Sequence, residues 1–249
     1  MRYLFLDNFR GFSKASIPLV DVNFLVGENS TGKTSLLTML RMFSSPGLFM
    51  GAEFQGEDIK LGLFSEMVSA HSKDQTYFRL GVIQDRPAHK KGLLTVSGLL
   101  FTYKEERGLP QISRLTCSFG NRELSLKFDG DRVFFKKEAA RHYANAKEMN
   151  DCIPTWIAAH SGDGKDWIEL ILPEGFKKGQ FPVFVVLTLA AASTDPKESL
   201  PFSFFTPQFG PQVVWIAPIR TAARRSYDEP HTVFSSEGLH TLRMSSGEC

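Results

Sequence analysis

The segment Gly27-Glu28-Asn29-Ser30-Thr31-Gly32-Lys33-Thr34 constrains this chain more than any other stretch of it. It fits G-x-x-x-x-G-K-[ST], a loop built to hold phosphate. Glycine at both ends lets the backbone wrap tightly, so that several N–H groups face one anion. The helix that follows points its positive end at the same spot. Lys33 adds a full charge for the outer phosphates, and Thr34 offers a hydroxyl to Mg²⁺. Such a loop works only between a strand and a helix, and both flanks comply. Residues 22–26 form an apolar run that stops at Gly27. Over 35–43, Leu36, Leu37, Leu40 and Phe43 fall on one helical face, and Ser44, Ser45, Pro46 and Gly47 end the helix.

The rest of the chain is ordinary in bulk. Its 249 residues carry 29 Lys+Arg against 27 Asp+Glu, with 42% apolar residues, which excludes a disordered tail and any global electrostatic attraction to nucleic acid. A nucleic-acid surface must therefore be a local patch. The longest apolar run, 181–192, is too short to span a membrane, and charges at Arg2, Asp7 and Arg10 interrupt any leader-like start. A cytoplasmic location is the expectation. Cys117, Cys152 and Cys249 are few and far apart, which suits free thiols.

Alternation predicts short strands at 3–6, 15–20 and 22–26, then a strand-rich region at 77–83, 93–103, 111–119, 123–128 and 132–135. Gly120-Asn121 and Asp129-Gly130-Asp131 read as hairpin turns. Residues 61–70 suit a short helix, 136–149 are helix-compatible, 167–172 suit a strand, and 181–192 suit either a buried strand or a buried helix. Four prolines in 196–211 argue against regular structure, and 213–216 reads as a strand. The expected organisation is one domain: 1–60 with the phosphate loop, 61–210 as a strand-rich lobe with insertions, and 211–249 as a strand and tail.

The residues around the loop carry a resemblance. Asn8-Phe9-Arg10-Gly11-Phe12 precedes it, and Ser35-Leu36-Leu37 follows Gly32-Lys33-Thr34. This order resembles the start of ABC-type ATPases of the RecF and SMC group. Further on, Ile216-Ala217-Pro218-Ile219-Arg220, then Arg224-Arg225-Ser226-Tyr227-Asp228, then Ser235-Ser236-Glu237-Gly238-Leu239-His240-Thr241 resemble a segment of the OLD and PtuA-type defence ATPases. Ala222-Ala223 and Ser236 depart from that pattern, where proline is common. The resemblance implies an α/β P-loop fold of the ABC-head type. In it a mixed sheet carries the loop, beside an antiparallel strand-rich lobe with helical insertions.

It also implies ATP and Mg²⁺ as ligands. Gly27, Glu28, Asn29, Ser30, Thr31, Gly32, Lys33, Thr34 and Ser35 would hold the nucleotide, Lys33 would serve catalysis and Thr34 would hold the metal. Arg10 would lie near the nucleotide or contact DNA, or else serve as a surface turn. Implied partners are a second copy across sandwiched ATP, an effector nuclease, and DNA or another nucleic acid, with no membrane. The implied role is an ATP-driven clamp in DNA-linked or antiphage defence. A non-hydrolysing, nucleotide-gated module that holds an effector is the alternative, and a P-loop phosphotransferase a weaker third.

No run of four apolar residues ends in Asp-Glu, the pair that steadies Mg²⁺ and the attacking water in such enzymes. Hydrolysis is therefore expected to need residues from elsewhere, as in one part of a longer or split enzyme. Met244-Ser245-Ser246-Gly247-Glu248 reads either as a signature motif or as a tail. The six histidines show no pair at metal-binding spacing and read as surface or core residues. Asp163-Gly164-Lys165-Asp166 with Glu169 reads as a solvated turn. Lys136-Lys137 with Arg141 and Lys177-Lys178 read as solvated basic faces, whereas Arg220, Arg224 and Arg225 have a better claim on phosphates.

Overall fold

A computed structural model describes residues 2–28, 32–44, 54, 61–87, 92–119, 122–162, 164–172 and 182–193, all within the compact unit Met1–Phe209. The segments at 211–249, including Arg220, Arg224, Arg225 and Met244 to Glu248, lie outside the described residues. The elements in chain order are β1 (Arg2–Asp7), β2 (Ala15–Leu19), α1 (Lys33–Ser44), α2 (Phe64–Met67), β3 (Tyr77–Pro87) and β4 (Leu94–Glu106). Then come β5 (Leu109–Phe119), β6 (Arg122–Asp129), β7 (Arg132–Ala139), β8 (His142–Tyr143), α3 (Ala146–Ser161), β9 (Ile168–Glu169) and α4 (Val183–Ala192).

The strands form one sheet in the order β2-β1-β3-β4-β5-β6-β7-β9, with β8 added to the end of β4. Every ladder among the described strands is antiparallel. The mixed sheet expected from sequence is thus corrected to an antiparallel one over these residues. The strand expected at 22–26 joins no ladder among them. It has no regular secondary structure, with Phe24 85% and Val26 92% exposed. Asn23 closes a local turn instead, its Oδ1 accepting from the Val20 N–H at 3.2 Å and its Nδ2 donating to the Val20 carbonyl at 2.6 Å. An apolar run specifies a strand only when neighbouring backbone is there to pair with it.

The strands expected at 3–6, 77–83, 93–103, 111–119, 123–128 and 132–135 are present, most of them longer, and the one at 15–20 ends at Leu19. The β4–β5 hairpin closes on Arg107-Gly108, both at positive φ (55° and 80°), as a type I′ turn requires. Because Arg107 is not a usual turn residue, composition hides this turn. Residues 136–139, read as helix-compatible, instead complete β7 opposite β6. The helix starts only at Ala146. There Asn145 Oδ1 accepts the Glu148 N–H at 2.9 Å, and Glu148 Oε2 accepts the Ala144 N–H at 2.8 Å. The strand at 167–172 shrinks to Ile168–Glu169, the short helix in 61–70 to one turn, and the ambiguous 181–192 resolves as α4.

Alternation along the strands gives the sheet two buried faces. Leu4 and Leu6 of β1 join one cluster, and Phe5 joins the other. The first face is covered by α1 through Leu36, Met39, Met42 and Phe43, and by α4 through Val186, Leu187, Ala190 and Ala191. Its centre is aromatic. The Phe78 ring lies 5.0 Å from Tyr103 and 5.5 Å from both Phe9 and Phe64. The second face is covered by α3 through Met149, Ile153, Trp156 and Ile157. Toward β5–β7 that second face turns polar, with Thr116, Ser118, Glu123 and Ser125 all buried.

Candidate functional site

The loop from β1 to β2 and the start of α1 meet at one corner of the first face. Asn8 and Arg10 adopt positive φ (55° and 50°), and Phe9 and Phe12 bond each other's backbone at 3.1 and 2.8 Å, pinching 9–12 into a tight turn. Asn8 is held there by its buried Nδ2, which donates to the Asp74 carbonyl at 2.6 Å and the Tyr77 carbonyl at 2.5 Å. Asp7 closes the base, pairing with Arg79 at 2.8 Å and accepting the Lys14 N–H at 3.1 Å. This turn sets Phe12 beneath Gly32. A Cβ added to Gly32, which sits at φ +88°, would come within 3.0 Å of the Phe12 ring. The second glycine of the motif is therefore required twice, for its backbone angle and for its lack of a side chain.

From Gly32 the chain enters α1, whose first bond runs from the Leu36 N–H to the Gly32 carbonyl at 2.9 Å. The twelve-residue helix directs its N-terminal amides and positive pole at the loop. Lys33 Nζ donates to the Gly27 carbonyl at 2.9 Å and to the Glu28 carbonyl, so the ammonium is aimed back across the loop mouth. Thr34 is exposed. Gly27 and Glu28 are exposed at the entrance, while Asn29, Ser30 and Thr31 lie outside the described residues. A cation aimed inward, an exposed threonine and a helix N-terminus suit a magnesium-bound polyphosphate in both charge and donor set.

Two expected site residues bond each other. Ser35 is buried, and its Oγ accepts from Arg10 Nη1 at 2.9 Å. Arg10 Nη2 donates to the Leu61 carbonyl at 3.1 Å, and the Arg10 N–H donates to the Met67 carbonyl at 2.7 Å. Arg10 thus fastens the first turn of α1 to the segment around α2.

A second constellation lies on the other face. Glu123 of β6 and Glu138 of β7 are directly opposed, and His160 reaches them from the last turn of α3. Glu123 Oε2 lies 2.8 Å from His160 Nε2, and Glu123 Oε1 accepts the Trp156 indole N–H at 2.7 Å. Burial alone would lower the pKa of His160. The hydrogen bond to Glu123, the Trp156 carbonyl on its other nitrogen and the charges of Glu123 and Glu138 outweigh that, and it ends above the ordinary range. Sequence spacing misses this group because its members are 15 and 22 residues apart on three elements. The expected solvated basic pair is also tied down. Lys136 pairs with Glu138 at 3.0 Å, and Lys137 Nζ donates to the Ala191 carbonyl at 2.6 Å. Glu169, read as part of a solvated turn, forms a two-pronged pair with Arg132 at 2.6 and 2.7 Å.

No described helix is long and apolar enough to cross a membrane. A family model described as an AAA ATPase domain matches residues 1–161, a stretch that holds Gly27 to Thr34, Arg10, strands β1 to β8 and all of α3. No curated protein and no solved structure matches the chain.

Proposed function

The chain belongs to the AAA ATPase domain family, whose members generally bind ATP with Mg²⁺, and from this we propose that residues 27–34 hold the phosphates of ATP. One observation carries the reading: the motif's lysine and threonine sit at the N-terminus of α1, with the ammonium turned into the loop. The Lys33 ammonium exchanges two carbonyl partners for phosphate oxygens, a stronger charge-assisted bond. The Thr34 hydroxyl would hold Mg²⁺, which would offset negative charge on the polyphosphate. Arg10 acts as a positioning residue. It holds Ser35, and through it the first turn of α1, in register with the loop.

In this reading two copies sandwich ATP and work as a clamp in DNA-linked or antiphage defence, as the likeness to RecF/SMC and OLD or PtuA-type ATPases suggests. DNA and an effector nuclease are the proposed partners, and the cytoplasm the proposed location. The second reading, a nucleotide-gated module that holds an effector without hydrolysis, is favoured by the lack of an apolar run ending in Asp-Glu.

ATP binding with and without Mg²⁺, for the parent and Lys33→Ala, together with phosphate release, tests both. Binding lost in the variant, with no release from the parent alone, supports a site that others must complete. Release from the parent that vanishes in the variant shows that this chain supplies its own carboxylate. No binding by the parent overturns the proposal.

A further inference from the structure

We propose that Glu123, Glu138 and His160 form a binding site for one zinc-class divalent cation, on the sheet face opposite α1 and independent of the nucleotide. Glu123 and Glu138 are direct cross-strand partners, an unfavourable placement for two like charges, and Glu123 is only 6% exposed. His160 is oriented as a ligand would be. Its Nδ1 lies 2.7 Å from the Trp156 carbonyl, which can only accept, so Nδ1 carries a proton and Nε2 faces the carboxylates, where the proton it shares with Glu123 must leave as the metal binds. Histidines that bind metals are commonly fixed in this way, with the other ring N–H on a backbone carbonyl. The Trp156 indole orients Glu123 from behind by occupying Oε1 and leaving Oε2 toward the ring.

The three ligand atoms lie within 4.8 Å of one another. Bonds of about 2.0–2.2 Å in a tetrahedral site put ligand atoms roughly 3.3–3.6 Å apart. Glu138 is the half-exposed member, so its carboxylate can close that gap, give the ion a way in, and leave a fourth position to water. Two carboxylates cancel the charge of a divalent ion. The carbonyl end of α3, where His160 sits, favours a cation there as well. Lys136, 3.0 Å from Glu138 Oε1, is the competing cation and must share or yield that oxygen. Imidazole with carboxylates selects Zn²⁺ over Mg²⁺ or Ca²⁺, which prefer all-oxygen sites.

The test titrates Zn²⁺ alone into the chelator-treated full chain, read by calorimetry and by the fluorescence of Trp156, whose ring lies 4.6 Å from that of His160. We expect one equivalent to bind, unaffected by excess Mg²⁺ and unchanged in Lys33→Ala. Glu138→Gln and His160→Asn should each weaken binding at least tenfold. Should His160→Asn fail to fold, the half-exposed Glu138→Gln decides. No saturable binding, or wild-type affinity in the folded variants, overturns the proposal and leaves the trio as an ion-pair network.

Discussion

The two faces of the sheet hold chemistry in two different ways. On the α1 face the proposed nucleotide site is one continuous segment, 27–34, completed by a turn that ends only fifteen residues before it. On the α3 face the Glu123–Glu138–His160 group is assembled from two strands and a helix. A contiguous site depends mainly on backbone conformation, whereas an assembled one depends on register and on how a helix is seated. The first should therefore tolerate changes in packing that the second does not, and the second should be indifferent to changes in the loop.

The largest expected effect tests whether the faces share one cooperative unit. Phe78→Ala removes the ring at the centre of the aromatic cluster and should cost about 3–5 kcal/mol. Denaturant unfolding followed by tryptophan fluorescence and by ATP binding should give coincident transitions. Separate transitions would mean the faces unfold independently. Next, Lys33→Ala should weaken ATP binding about 100-fold, or ~2.8 kcal/mol at 1.4 kcal/mol per factor of ten. Stability should stay within about 0.5 kcal/mol, so a large drop in melting temperature would give Lys33 a structural role as well.

Arg10→Ala cuts the ties to Ser35 and to the Leu61 carbonyl and should cost roughly 1–2 kcal/mol, with a several-fold loss of ATP affinity. Arg10→Lys should restore little of this, because one ammonium cannot reproduce the two-pronged contact. Unchanged ATP affinity in both would remove Arg10 from the site. On the other face, Asn145→Ala removes the N-cap of α3 and should cost about 1 kcal/mol without touching ATP binding. The smallest effect is opposite in sign. The Tyr103 hydroxyl is buried with no hydrogen-bond partner among the described residues, and burial pushes its pKa well up. Tyr103→Phe should leave stability unchanged or raise it by up to about 1 kcal/mol in thermal unfolding.

Much of this was legible from residues alone where the signal is local. The hairpins of β3–β7 follow from alternation, and α1 follows from the spacing of Leu36, Leu40 and Phe43. Asp129-Gly130-Asp131 marks a turn, and Gly130 indeed sits at φ 59°. Residues 136–139 misled because Lys-Lys-Glu-Ala suits a helix. Pairing with β6 overrode that preference, as tertiary contacts do for weak propensities. Residues 22–26 misled in the opposite direction. Their composition is that of a strand, but no neighbour among the described residues supplies the hydrogen bonds.

The sequence alone thus settled the helix at 33–44 and the strand-rich middle, because helical spacing and two-residue alternation act within a few residues of chain. The antiparallel order of the sheet, the fastening of Arg10 to Ser35, and the meeting of Glu123, Glu138 and His160 came from the tertiary structure. Each of these depends on which strands become neighbours and on which face a helix lands. That choice is made by burying apolar surface across the whole unit, and nothing in the spacing of those residues encodes it.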